Sequence, residues 1–263
     1  EGACMLGRGG SFAWRAGQGG MTDLVLLPGI NNTRETWDGV IAAMPATIRC
    51  HPQDCAPLNS VEAIAADLLA RCPPRFRLAG FSFGGYVALA MLELAPERID
   101  GLALIATTSF ADTPQQVAAR DAAAAAAERG EHMKLVEGPG AIALHPDAAA
   151  KPEIAALRLK IAAAYGAERF IAHQHASKAR PDRTQLLKSA EIPLQFIAAE
   201  DDKVIAAEQV RRMAEAVPQA ELSTVPRAGH LVPIEQPEAI ARLLAGWIAS
   251  SNETEQQLSG RAS

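Results

Sequence analysis

The chain has 263 residues, 49% of them hydrophobic and 21% charged, with a formal net charge of −5. That composition is globular, with apolar material for one or two domains, and its acidic balance offers no basic surface to nucleic acid or acidic lipid. No apolar run approaches the ~20 residues of a membrane span, so no membrane partner is expected.

In chain order, residues 1–21 are expected to form a flexible, glycine-rich leader, with Met21 as a candidate natural start and Phe12-Ala13-Trp14 as a candidate short edge strand. The leader lacks the apolar h-region of a signal peptide, so the expected location is cytoplasmic. Leu24 to Leu27 is a continuous apolar run ended by Pro28-Gly29, as a buried parallel strand requires. A second strand is expected near Ile48-Arg49-Cys50, and Ser60 then caps a helix with Glu62 early in it and Ile64, Leu68 and Leu69 on one face. Strand 76–81, a turn at Ser82 and helix 83–95 follow, and the helix stops before Pro96. Strands are expected again at 101–106, 192–198 and 220–225, with a helix around 208–216 between the last two. Pro237 opens a final helix through Leu243, Leu244 and Trp247, and the polar residues 249–263 are expected to be a disordered tail.

This β-α alternation implies a mostly parallel sheet with helices on both faces. One interval breaks it. Residues 109–189 show no strand, only helical stretches at Gln116–Arg129 and around 152–178, and the six alanines Ala122–Ala127 read neutrally as a thinly packed surface helix. So long an insertion more often serves a function, and a helical cap over Ser82 is expected between core segments 22–108 and 190–248. The cysteines Cys4, Cys50, Cys55 and Cys72 make no disulfide framework in a chain this long. Cys50-His51-x-x-x-Cys55 has no partner pair at ligand spacing, so buried or loop thiols are expected there and no metal.

Chemistry concentrates at Gly80-Phe81-Ser82-Phe83-Gly84-Gly85. The bare G-x-S-x-G pattern arises by chance in roughly one ordinary chain in ten, and it is the flanking strand, helix and extra glycine that give it weight. A serine held in a strained turn needs neighbours without a Cβ, and the turn would lift its hydroxyl above the sheet with the Phe83 amide facing an anion. A serine hydroxyl is a poor nucleophile until a base takes its proton and an acid orients that base. Of the histidines, His230 follows a predicted strand and precedes the last helix, at the strand ends where Ser82 sits. His51 is a weaker candidate, and His132, His145, His173 and His175 lie in the insertion. Glu200, Asp201 and Asp202 directly follow strand 192–198, and spacing alone leaves open which of them is the acid. A second oxyanion donor is expected from the loop after strand 24–27, at the Ile30 amide, with Asn31 and Asn32 read first as turn formers.

Taken in order, Leu26-Leu27-Pro28-Gly29, the Ser82 motif, Glu200-Asp201-Asp202-Lys203-Val204 and Ala228-Gly229-His230-Leu231 resemble the α/β-hydrolase superfamily. The likeness is closest to its small cap-bearing bacterial members, which include esterases, enol-lactonases and C–C bond hydrolases. It covers roughly residues 22–248 and extends to Pro96-Glu97-Arg98-Ile99 and Glu235-Gln236-Pro237-Glu238. The resemblance implies the α/β-hydrolase fold with a helical cap, the nucleophile on Ser82, the base on His230 and the acid on Asp202. The family's acid lies three residues after the small residue that ends its strand, here Ala199. Pro28-Gly29 stands where the family usually has His-Gly, and little room precedes Met21 for the family's first two strands, so a shortened sheet edge is expected.

The implied activity is hydrolysis of a small carboxylic ester through an acyl-serine intermediate, with no metal or organic cofactor. The same machinery on a lactone, thioester or C–C bond is the alternative. Such substrates usually carry a carboxylate, which asks for a pocket arginine. Arg34 and Arg180 are the candidates, each with a surface charge as its neutral reading, and Asn32 is a further possible substrate contact. A non-catalytic ligand receptor is the third reading, and it has no need of all three triad residues. The sequence carries no sign of an oligomeric state.

Overall fold

Alternation along the strands decides the layers. The computed structural model describes residues 21–260, with backbone alone over 253–260, and six strands run through them. These are β1 (Thr22–Leu27), β2 (Ile48–Pro52), β3 (Phe76–Phe81), β4 (Ile99–Ile105), β5 (Leu194–Ala199) and β6 (Glu221–Val225). Leu24, Leu26, Ala79, Phe81, Ala103 and Ile105 pack on one face of the sheet. Val25, Leu27, Leu78, Leu102 and Leu104 pack on the other. With both faces covered, the inner strands read as unbroken apolar runs. The order is β2-β1-β3-β4-β5-β6, and every neighbouring pair is parallel.

Helices α1 (Asp38–Ala42), α2 (Val61–Leu69) and α3 (Phe83–Leu94) follow the first three strands. Ser60 caps α2, its hydroxyl accepting from the Ala63 amide at 3.3 Å. The insertion between β4 and β5 carries α4 (Pro114–Glu128), α5 (His132–Glu137), α6 (Pro146–Ala149), α7 (Pro152–Tyr165), α8 (Ala167–Ala179) and α9 (Thr184–Ser189). A capping box between Thr113 and Gln116 starts α4. The alanine run is not merely surface: Ala124, Ala126 and Ala127 are buried, and their small size lets α4 lie along α8. The two stems of the insertion meet where the Arg183 amide donates to the Ser109 carbonyl at 2.9 Å. After β5 come α10 (Ala207–Ala216), α11 (Val232–Glu235) and α12 (Pro237–Gly260). Helices α2, α3 and α10 cover one face of the sheet, and α1 and α12 the other.

One expectation changes here. Residues 249–263 were expected to be disordered, but α12 continues to Gly260. The Ser250 and Ser251 hydroxyls donate to the Trp247 carbonyl at 3.0 and 2.7 Å, and the Asn252 side-chain oxygen accepts from Arg77 at 2.8 Å. Polar residues thus satisfy themselves on the helix and the core, where periodicity no longer signals a helix. The expected leader, with its candidate strand at Phe12-Ala13-Trp14, lies outside the described residues apart from Met21. Among the described residues the sheet begins at β1, and no helix is long and apolar enough to cross a membrane.

The topology also places a crevice. From β1 the chain steps sideways to β2, then returns past β1 to β3, so the order reverses between β1 and β3. In a parallel sheet the loops leaving neighbouring strands diverge at such a point and open a cleft at the carboxyl ends. The loop after β1 and the turn at Ser82 both lie there.

Candidate active site

Ser82 joins β3 to α3 with φ 52° and ψ −118°, in a region L-residues avoid. The surroundings hold it there. Its amide donates to the Ile105 carbonyl at 2.9 Å, and its carbonyl accepts from the Thr107 hydroxyl at 2.8 Å. Close backbone approach explains the flanking glycines. A Cβ on Gly80 would stand 2.5 Å from the Gly84 carbonyl oxygen, and one on Gly84 would stand 2.4 Å from that of Leu27. Strand, turn and helix can cross this tightly only without those side chains.

His230 and Asp202 come to Ser82 from later strand ends. His230 lies in the loop between β6 and α11 and is 6% exposed; Asp202 lies just after β5 and is 4% exposed. A carboxylate can only accept, so His230 Nδ1–H donates to Asp202 Oδ2 at 2.7 Å. The other nitrogen, Nε2, is then left to accept from the Ser82 hydroxyl at 2.9 Å. The second carboxylate oxygen, Asp202 Oδ1, accepts from the amides of Val204 and Ile205 at 2.7 and 2.8 Å. The neighbouring acids point elsewhere. Asp201 reaches His145 at 3.6 Å, and Glu200 accepts from the Arg227 amide at 3.2 Å. Such a series lets the imidazole take the serine proton while the carboxylate steadies the charge that forms.

The loop after β1 is a tight turn, with the Asn32 amide donating to the Gly29 carbonyl at 3.2 Å and Asn31 at φ 60°. Asparagine tolerates that conformation. Asn32 donates from its side chain to the Ile30 carbonyl at 2.8 Å and accepts from Thr36, so it shapes the turn and also lines the pocket. Ser82's own amide is engaged, which leaves Phe83 as the first amide of α3 to face the crevice. Among the described residues, neither the Ile30 nor the Phe83 amide donates to a backbone carbonyl.

Above Ser82 is a cavity of about 240 Å³. Ile30, Asn32, Tyr86 and His230 line it from the core, and Val136, Ala162, Phe170 and Gln174 from the insertion. Two of the joints that seat the insertion on the core bear directly on the site. In the first, His173 is buried and stacks on Phe83 at 4.3 Å between ring centroids. Its Nε2–H donates to the Ala56 carbonyl at 2.8 Å, and the Tyr165 hydroxyl donates to Nδ1. Burial pushes this imidazole down to about 4. Asn31 Oδ1 accepts from His132 Nε2–H at 2.8 Å beside this joint. The second joint touches the His230 loop itself. The Leu231 amide donates to the Ala143 carbonyl at 3.1 Å, and buried Glu235 accepts from the amides of Gly229 at 2.8 Å and His145 at 3.2 Å. Burial raises the Glu235 carboxyl above the usual carboxylate range.

Several expected residues lie elsewhere. Arg34 is exposed at the start of a 3-10 turn, its amide donating to Asp54 at 2.9 Å, and it does not line the cavity. Arg180 is buried but sits behind the wall, over the Tyr86 ring at 3.7 Å and paired with Asp112 at 2.7 Å. The arginines that do line the cavity are Arg120 and Arg158, both on insertion helices. Nothing in an alanine-rich stretch marks which turn faces inward, so sequence reading missed both. His51 pairs with Asp23 at 2.7 Å between β1 and β2. Cys50, Cys55 and Cys72 are free thiols among the described residues, and burial raises all three.

A serine at such a turn, over the switch point of a parallel sheet with its partners on later strand ends, is the architecture of the α/β hydrolases. The chain belongs to that family: the model of the alpha/beta hydrolase family matches residues 24–243. Pimeloyl-(acyl-carrier protein) methyl ester esterase of Nitrosomonas europaea is 35% identical over 95 residues, 33% of this chain and 37% of that relative. The esterase of the same name from Pectobacterium carotovorum subsp. carotovorum is 33% identical over 103 residues, 36% of this chain and 40% of the relative. These matches thus span well under half of the curated relatives. Among solved structures, a thermophilic esterase from Thermogutta terrifontis aligns with TM-score 0.79 at 24% identity, over 89% of this chain and 92% of that one. The enol-lactonase from Burkholderia xenovorans LB400 aligns with TM-score 0.76 at 19% identity, over 87% and 92%. At these identities the likeness speaks for the fold.

Proposed function

We propose that this chain hydrolyses a small carboxylic ester through an acyl-serine intermediate. The observation that carries the reading is the unbroken series from Ser82 Oγ through His230 to Asp202, at 2.9 and 2.7 Å, opening on a cavity. Ser82 attacks the ester carbonyl as His230 Nε2 takes its proton. The amides of Ile30 and Phe83 hold the oxyanion, in the place where charge develops. His230 then gives the proton to the departing alkoxide, and Asp202 stabilises the imidazolium between the two transfers. Water, activated by the same imidazole, releases the acid and restores Ser82. The insertion at 109–189 acts as a cap that shields the acyl-enzyme, supported by the residues it contributes to the cavity. A volume of about 240 Å³ suits a small substrate. The esterase names of the curated relatives point the same way.

The test is Ser82→Ala against p-nitrophenyl esters of increasing chain length. Turnover should vanish while circular dichroism stays unchanged, because the hydroxyl contributes little to folding. Residual activity within about tenfold of wild type would exclude the serine mechanism.

A further inference from the structure

The cavity has a charge that the rest of the chain does not. The protein carries a net charge of −5, yet Arg120 and Arg158 line the cavity and, among the described residues, no aspartate or glutamate does. The two guanidiniums differ in what already holds them. Arg120 is bound by Asp112, whose carboxylate is fully buried and is shared with Arg180, and it also donates to Gln174 at 3.2 Å. Arg158 has no such partner among the described residues. Among the described residues its hydrogen bond is to the Val136 carbonyl, and exposed Glu137 acts on it only through space, without an ion pair. Room for its head comes from Gly140, where a Cβ would stand 3.2 Å from Arg158 Nη2.

We propose that Arg158 is a specificity-determining residue that binds a carboxylate on the substrate, remote from the ester group that Ser82 attacks. A guanidinium has five donors in a planar fork, and among the described residues half-buried Arg158 uses one of them, on the Val136 carbonyl, so the rest are available to an entering anion. Burial lowers Arg158 from the usual arginine range, the direction expected of a cation short of compensating charge. The cavity, about 240 Å³, lies below the ~300–1,000 Å³ usual for ligand pockets, which suits a small acid. Half-esters of short dicarboxylic acids meet both requirements. This inference rests on the ester-hydrolase reading above and names its substrate class.

The experiment compares monoethyl glutarate with diethyl glutarate. In the wild type kcat/KM should favour the half-ester by roughly tenfold or more, the usual worth of a hydrogen bond to a charged group. Arg158→Met should cut that ratio by roughly 10- to 100-fold, through KM for the half-ester. Arg158→Lys, which keeps the charge but loses the fork, should fall between. Lys160→Met removes the same charge from an exposed position on the same helix, so the ratio should hold. A ratio unchanged by Arg158→Met overturns the proposal. Binding separates this inference from the catalytic reading. Calorimetry on Ser82→Ala should show monoethyl glutarate bound more tightly than the diester, and the added Arg158→Met should abolish the difference. Equal binding of the two would refute the acid site even if ester hydrolysis stands, and a clear preference would uphold it even if turnover fails.

Discussion

Asp202→Asn separates geometry from chemistry at this site. The substituted side chain keeps its shape, and its orientation is already decided. Asp202 Oδ1 accepts from two amides, Val204 and Ile205, at 2.7 and 2.8 Å. Only the asparagine oxygen can replace it there, so the NH2 group must face His230 Nδ1. That nitrogen then has to accept, the ring proton moves to Nε2, and Nε2 points a hydrogen at Ser82 instead of a lone pair. The imidazole is present but in the wrong tautomer for the proposed proton transfer. The equivalent change in a serine protease leaves the geometry intact and lowers kcat about 10⁴-fold, and the same loss, about 5 kcal/mol of activation free energy, is expected here. Because imidazolium stabilisation matters mainly in the transition state, KM should change little. Asp201→Asn is the contrast. Its side chain is 41% exposed and lies 3.6 Å from His145, so kcat should shift by less than about threefold. Both variants would be measured for kcat and KM on p-nitrophenyl acetate, with thermal melts to show intact folding. Asp202→Asn activity within tenfold of wild type, or a larger loss from Asp201→Asn, would refute the tautomer reasoning.

Gly84→Ala should cost about 3 kcal/mol or more, because the added Cβ would stand 2.4 Å from the Leu27 carbonyl oxygen, and neither that strand nor the helix start can give way; a urea midpoint equal to wild type would show the crossing to be looser than described. Acid should loosen the joint at His173. The folded imidazole sits at about 4 against an ordinary 6.5, so the unfolded chain binds the proton first as pH falls. This contribution is fully present above about pH 6.5 and drains by about 3 kcal/mol on the way down to pH 4. His173→Phe should flatten that part of the profile in urea titrations between pH 7 and pH 4, and identical slopes in the two proteins would count against it.

Some of this was legible in the sequence, because the signals are local. The Ser82 turn announces itself through glycines whose absent side chains are required within a few residues of the serine. Spacing left Asp201 and Asp202 open, and only the family resemblance implied Asp202; the structure adds the local reason. The Asp202 side chain accepts from amides two and three residues ahead, an arrangement that short polar residues make in turns. The inward arginines were hidden because their direction is a long-range property. Arg158 faces the cavity by virtue of Gly140 and Val136, both well outside its own helix. Arg180, a candidate pocket arginine, is held behind the wall by Asp112 and Tyr86. The continuation of α12 past Ser250 was hidden for a different reason: it rests on serine back-bonding and on a contact between Asn252 and Arg77 that no apolar period encodes.

The joint at Glu235 has a consequence for engineering. Its carboxylate gathers one amide from the loop that carries His230 and one from the insertion, while the Leu231 amide reaches the Ala143 carbonyl alongside. A Cβ on Gly229 would stand 2.4 Å from the His145 nitrogen, so the two backbones touch with nothing between them. The segment around 143–145 is therefore part of the wall that fixes the imidazole. Exchanging residues 109–189 for the equivalent region of another hydrolase would change more than the choice of substrate. Unless the graft brought a carbonyl and an amide to those same two points, the recipient would inherit a new pocket and a wandering imidazole.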